Sequence, residues 1–463
     1  MKPDRIFIII FILISISCNN RRNPNLSIGQ LQSLPDSIFV KQESAPEFKP
    51  VMPEGYIPQA GVKYRQVRDL STPPVRIDIL KGINDVRNIK LSQIASDIEY
   101  VNIGKHRFSV VTQVTPHGIL VSNDDGVWLY SFEGKLIREI YKNICDFEPW
   151  GDYGVSARRS DRHIGVTQVR YNEKEDRIWL QYVNGSNPMH LGYIDMAGKI
   201  NVSGSEQNQD SVTLLGAFRS GSVAYGGNFI IHTPYVNNIM PTSYSFNGDT
   251  LCRFVVGYDT ITSNKLRGIS VDFGTRYDYR GVYTFRRGFS DTLFRITAAN
   301  VLKPEYVIDV GTSGRATNTG KPSDVDLEQM YIIQSVREDD EYLYIKFSKD
   351  YASQYNIEKN KVRFWWGLYD KAKYEFFTLP FNDDNNPYEG GFENDIDGGM
   401  PLWPVIMGEY GEKLTHIIGK DMKKKVTPDM LKDSNVISAE KKEKLRKFMQ
   451  TLKDDDRVII IVR

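Results

Sequence analysis

Hydrophobic and polar positions divide the chain into three regimes. Residues 6 to 14 are an unbroken apolar run. Residues 19 to 75 show no period, and prolines at 24, 35, 46, 50, 53 and 58 argue against a long helix or a central strand there. From about residue 76, short apolar and aromatic runs recur between Gly, Asn and Asp, the pattern of half-buried strands joined by tight turns.

One stretch shows the unit clearly. "GILVS" and "VWLYSF" alternate and are joined by "NDDG", and "EGK" then leads into "LIREI". That predicts a three-strand antiparallel meander. Similar strand, turn and strand groups recur, with turns near residues 134, 198, 248, 290 and 372. The unit is a four-stranded sheet of about 40 to 60 residues, the size of a propeller blade. Five units plus the material around "FENDIDGGMPLWP" predict an all-β, six-bladed β-propeller of four-stranded antiparallel blades over residues 76–463. A β-sandwich is the alternative, and the length of this region argues against it as one domain.

The C-terminus predicts short helices and a closing strand. Thr427 is placed as an N-cap with Pro428 at the first helical position. In "SAEKKEKLRKFMQTLKDDD", Leu445, Phe448, Met449 and Leu452 form one helical stripe. "RVIIIVR" follows, a β-prone segment that is an aggregation hazard unless it pairs internally.

The N-terminus bears on location. Lys2 and Arg5 precede the apolar run, and small and polar residues lead to Cys18. This is the layout of a secretory signal, and the run is too short for a membrane span of about 20 residues. "ISISC" resembles the lipobox of bacterial lipoproteins. That resemblance implies a signal over residues 1–17, lipid on the thiol and amine of Cys18, and an extended tether over residues 18–75. Asn19 stands where an aspartate would resemble an inner-membrane retention signal, which favours the outer membrane. "NNRRNPN" lacks an acidic tract, which favours the periplasmic face. Cys145 and Cys252 remain, and they read either as one disulfide or as two small buried hydrophobes.

Charge excludes one class of partner. The whole chain carries a formal net charge of +1, and Lys2, Arg5 and Asp4 supply that unit within the signal, so the remainder is balanced. No long basic stretch marks a nucleic-acid surface. The 26 tyrosines and 22 phenylalanines suit half-buried sheet positions.

"IKLSQIASDIEYVNI", "NDIDGG" and "LWP", together with the lipobox and the short apolar final strand, resemble the six-bladed β-propeller lipoproteins common in Bacteroidetes. The resemblance implies a fold and an anchor, and it carries over no catalytic residue.

Candidate chemistry is sparse. In "FENDIDGGMPLWP" an EF-hand count from Glu393 puts Pro404 at position 12, which cannot ligate through a side chain, so that loop is excluded. A looser calcium site would use Asp395 and Asp397. The competing reading is a turn in which Gly398 and Gly399 supply positive φ, the acids bond turn amides, and Trp403 enters the core. Arg158, Arg159, Asp161 and His163 form the densest polar cluster, and its arginines suit an anionic ligand by forked hydrogen bonds. Trp365 and Trp366 alternate on a strand. One of them, taken as Trp366, is expected to face outward and stack on a sugar, against packing between blades. There is no HExxH, GxSxG, Walker or GxGxxG motif, and the six histidines are scattered. The sequence therefore predicts a monomeric, non-enzymatic binding or scaffolding propeller for a protein, peptide or glycan, without a cofactor. The alternative is a hydrolase or lyase acting on a carbohydrate-related substrate in the axial channel.

Overall fold

The computed structural model describes residues 61–105, 111–123, 126–142, 164–172, 176–184, 189–195, 213–218, 221–225, 229–234, 241–245, 249–255, 274–287, 290–311, 331–349, 363–380, 390–408 and 411–463. Three strands precede the repeats: β1 (Val67–Arg68), β2 (Val75–Asp78) and β3 (Ile98–Asn102). The first sheet holds β4 (Val111–Thr115), β5 (Gly118–Asn123), β6 (Gly126–Tyr130) and β7 (Leu136–Lys142). The second holds β8 (Ile164–Asn172), β9 (Arg177–Asn184), β10 (Met189–Asp195) and β11 (Thr213–Phe218). The third holds β12 (Gly221–Tyr225), β13 (Ile230–Pro234), β14 (Thr242–Tyr244) and β15 (Thr250–Arg253). The fourth holds β16 (Thr275–Tyr279), β17 (Val282–Arg286), β18 (Thr292–Ala298) and β19 (Val301–Asp309), and β1 and β2 add to it. The fifth holds β20 (Tyr331–Glu338), β21 (Tyr342–Lys349), β22 (Arg363–Asp370) and β23 (Glu375–Thr378). The last combines β24 (Ile406–Met407), β25 (Lys413–Ile418) and β26 (Arg457–Val462) with β3 from the N-terminal side.

The fold is thus an all-β propeller, with one correction to the expected blade plan. The described residues form five four-stranded antiparallel blades, not six; the remaining sheet is six-stranded and mixed, because β1 and β2 pair with β19 in parallel. The likeness to uniformly six-bladed lipoproteins fails on the same finding. The turn expected near residue 290 is present between β17 and β18, the second and third strands of its sheet, and a further turn at Ala299 and Asn300 joins β18 to β19.

The physical reason for the mixed sheet is the segment before β3. Of the stretch expected to be tether up to residue 75, residues 61–75 are described, and they already lie against the sheets. Lys63 and Tyr64 N–H donate to Thr250 and Leu251 O beside β15. β1 and β2 line β19, Arg87 N–H donates to Thr378 O on β23, and Leu91 N–H donates to Glu393 O. The chain therefore runs as a belt along the last strands of three successive sheets before becoming the last strand of the closing one. Edge strands with open N–H and C=O groups invite association, and the belt satisfies them. Since strand order within each sheet follows the chain, the first strands stand at the opposite, inner edges.

Apolar side chains fill the gaps between sheets. Ile231 and Phe254 pack on Tyr283 and Phe285. Ile77 and Ile79 from the belt join Leu293, Ile345, Phe347 and Trp365. Trp366 and Tyr344 meet Val458 and Ile460, and Ile459 and Ile461 meet Ile119 and Trp128. β26 thus faces two neighbours while pairing β25 on one side and β3 on the other. A short helix, α1 (Ile79–Gly82), follows β2, and three more connect β25 to β26: α2 (Gly419–Lys425), α3 (Pro428–Asp433) and α4 (Ala439–Thr451). Thr427 caps α3 by accepting from Met430 N–H, and Leu445 of α4 is buried against the closing sheet.

Removing residues 61–88 should uncover the last strands of three sheets while sparing β3. It should also lose the burial of Ile77 and Ile79, about 1.5–3 kcal/mol each. The expected outcome, read by size-exclusion chromatography with light scattering, is self-association and a lower melting temperature than the intact chain. A monomer of unchanged melting temperature would contradict the belt.

Candidate functional site

Ionisable side chains converge where the inner strands end. Glu338 closes β20, and its phase explains its burial: Val336 points into the core between the fourth and fifth sheets, and Glu338 follows two residues later on the same face. Its side chain is fully buried and accepts from four donors. Arg295 Nη2 (2.6 Å), Lys371 Nζ (2.7 Å) and the Tyr306 hydroxyl (3.1 Å) reach Oε1, and the Tyr277 hydroxyl (2.9 Å) reaches Oε2. Arg295 and Lys371 also lie over the Tyr279 ring, 4.9 and 4.5 Å from its centroid. Burial and the adjacent carboxylate push the Tyr277 and Tyr306 hydroxyls well above their ordinary range. Burial works against the Arg295 charge, and Glu338 and Glu305 more than offset it.

The same theme repeats around the inner ends. Asp339 accepts from the Tyr344 hydroxyl at 2.6 Å and pairs with Lys413 of β25 at 3.0 Å, tying the fifth sheet to the last. Asp340 takes Arg280 at 2.5 Å and the Tyr279 hydroxyl at 2.8 Å, tying it to the fourth; these bonds hold its carboxyl below the usual range. Between the first and second sheets, His117 Nε2 lies 2.7 Å from Asp176 Oδ1, which also accepts from the Tyr171 hydroxyl at 2.7 Å. Asp176 sits at φ +50, a left-handed conformation uncommon for a residue with a side chain. Burial raises its carboxyl, and the bonds from Tyr171 and His117 more than reverse that. Arg170 of β8 pairs with Asp278 of β16, although their sheets are separated by the third.

Of the residues singled out by sequence, Trp366, Asp395 and Asp397 are described, and none of them joins this network. Cys18, Arg158, Arg159, Asp161 and His163 fall outside the described residues. Trp366 is not the outward platform expected of it. It is 3 % exposed, packed between the fifth and last sheets, with Lys346 Nζ 5.6 Å from its ring centroid. Trp365 is also covered, stacked on Phe347 at 5.4 Å. Both faces of this strand are buried because a neighbouring sheet lies on each.

Asp395 and Asp397 fasten the belt. Asp395 accepts from Ser92 N–H at 3.0 Å and Ser92 Oγ at 2.6 Å. Asp397 Oδ1 accepts from Asn394 Nδ2 (2.7 Å), Gly399 N–H (2.9 Å) and the Tyr100 hydroxyl of β3 (3.3 Å). Burial raises the Asp397 carboxyl. Gly398 is left-handed at φ +79, but Gly399 is not; Gly399 is needed for space, since a Cβ there would stand 2.5 Å from the Tyr100 hydroxyl oxygen. Trp403 stacks on Phe392 at 5.8 Å in the core. Among the described residues no group of three or more His, Cys, Asp or Glu is placed to hold a metal ion. Cys252 is buried, its thiol pushed up to about 12, and it forms no disulfide among the described residues; Cys145 lies outside them.

Sequence reasoning missed the inner-end network because its partners are distant in the chain. One signal was present: in "IIQSVREDDE" a glutamate occupies the apolar phase set by Val336.

Residues 59–428 match the family model described as Domain of unknown function (DUF4933). Among solved structures, a protein described as exported, from Bacteroides fragilis, aligns with TM-score 0.47 and 12% identity over 84% of this chain and 99% of that one. A member of the DUF4221 family from Bacteroides vulgatus gives TM-score 0.36 and 10% identity over 61% and 84%. Virginiamycin B lyase from Staphylococcus aureus gives TM-score 0.28 and 8% identity over 63% and 90%. None of these likenesses transfers a residue or an activity. No curated protein matches the chain.

Two substitutions probe the inner-end network. Glu338→Gln leaves two half-buried cations, Arg295 and Lys371, facing a neutral amide in a fully buried position, and about 3 kcal/mol should be lost in denaturant unfolding at pH 7; a loss below about 1 kcal/mol would contradict the clamp. Asp340 is exposed, so Asp340→Asn should cost less than about 1 kcal/mol at pH 7. Its folded-state pKa is depressed, so its contribution is present above the unfolded value of about 3.9 and is lost as pH falls through the folded value. The melting-temperature gap to wild type should therefore close in that acid range.

Proposed function

We propose that this chain, which belongs to the DUF4933 family, is a binding or scaffolding module for a protein, peptide or glycan, tethered to the periplasmic face of the outer membrane through lipid on Cys18. The observation that carries this reading is the Arg170–Asp278 pair. It joins inner strands of two sheets that are not neighbours, so two opposite charges that could serve chemistry at the axis neutralise each other. Glu338 supports it in the same way. A general base needs an acceptor within reach of the proton it takes, and both Glu338 oxygens are engaged.

The second reading, a hydrolase or lyase, has one observation in its favour. His117 is 42 % exposed at its side chain and oriented by a carboxylate, the arrangement of a positioned base.

The two readings separate in one experiment on the chain carrying Cys18→Ala. The expected result is a protein recovered from the soluble fraction that retains saturable binding on a glycan array or immobilised peptidoglycan, with the probe recovered at unchanged mass. Retention in salt-washed membranes would remove the lipid anchor. Probe turnover abolished by His117→Asn would replace the module with the enzyme.

A further inference from the structure

Arg337 is treated differently from the arginines around it. Arg295, Arg280 and Arg170 each meet a carboxylate at the inner ends of the sheets. Arg337 lies on β20, the inner strand of the fifth sheet, one residue from Glu338, and strand alternation turns it to the opposite face, toward the closing sheet. There its Nε donates to Val405 O at 2.7 Å and its Nη1 to Val336 O at 2.8 Å. Val405 immediately precedes β24, the inner strand of that sheet. Among the described residues no carboxylate lies within ion-pair distance of the guanidinium.

Two consequences follow. A guanidinium carries five N–H donors, and two are engaged, so three remain on Nη1 and Nη2. Both bonds to backbone carbonyls also fix the plane of the group before any ligand arrives, which lowers the ordering cost of binding. Its environment is unfavourable to the bare charge: Arg337 is half-buried, and burial lowers its pKa from the ordinary value. A cation that is pre-oriented, partly dehydrated and without a counter-charge gains most from an incoming anion.

We propose that Arg337 is the anchor of an oxyanion-binding site at the inner edges of the fifth and last sheets, taking a carboxylate or phosphate group of the ligand on its Nη1–Nη2 side. Forked recognition of a planar or tetrahedral oxyanion is the chemistry to which guanidinium is suited and ammonium is not. The site rests on the binding-module reading and gives it a ligand class, one bearing an acidic group. Val405, 44 % exposed beside the guanidinium, offers an apolar contact next to the charged one.

The test uses the Cys18→Ala chain and two probes, inorganic phosphate and citrate, titrated by isothermal calorimetry and thermal shift at constant ionic strength held with chloride. Saturable binding of at least one probe is expected, and the probe that binds tells phosphate from carboxylate recognition. Arg337→Gln should weaken it about 30-fold or more. Arg337→Lys, which keeps charge but loses the fork, should fall between them and serves if the glutamine variant does not fold. No binding of either probe, or equal binding by wild type and both variants, overturns the site. Glycan or peptidoglycan binding that survives Arg337→Gln would remove the anion site and leave the module reading standing.

Discussion

Everything in this fold depends on covering strand edges. The final strand, Arg457–Val462, is almost wholly apolar, and it is acceptable in water only because β25 and β3 take both its edges and neighbouring sheets take both its faces. That pairing joins the two ends of the described chain. The belt extends the same solution outward: before supplying β3, the chain satisfies the outer edges of β15, β19 and β23. Closure is therefore spread over some forty residues rather than one strand, and the motif around Asp395 fastens it by gripping Ser92 and Tyr100.

Covering both faces of each sheet creates the second constraint. The inner strands end among neighbours, where a charged residue meets low-dielectric surroundings. The sheet-to-sheet pairs there, Glu338 with Arg295 and Asp339 with Lys413, answer that problem. An apolar interface tolerates sliding, whereas a fully bonded carboxylate accepts one geometry, so these pairs set the register of one sheet against the next. Arg337 stands apart as a cation that the same surroundings hold in place without neutralising.

This separation of duties bears on function. In the binding-module reading proposed above, inner-strand charges paired across sheets, such as Arg170 with Asp278, are structural, and recognition falls to a surface or an edge. His117, exposed and oriented by Asp176, is the feature that keeps chemistry in view.

The sequence by itself determined the class of element and its local punctuation. The alternation in "GILVS" and "VWLYSF", the cap at Thr427, the stripe through Leu445 and the need to pair "RVIIIVR" are all local, and period and turn chemistry carry local information. The tight turn in "DIDGG" was legible for the same reason, though not the hydroxyls its acids would hold. Tertiary structure decided what depends on residues far apart in the chain. The parallel addition of β1 and β2 that makes one sheet mixed joins residues more than two hundred positions apart. The burial of Trp366 required knowing that a sheet lies on each side of its strand. Arg295, Tyr277 and Tyr306 reach Glu338 from another sheet, as Arg170 reaches Asp278, and no spacing rule connects them. Hydropathy reports which side of a strand seeks cover; only the assembled ring says what covers it.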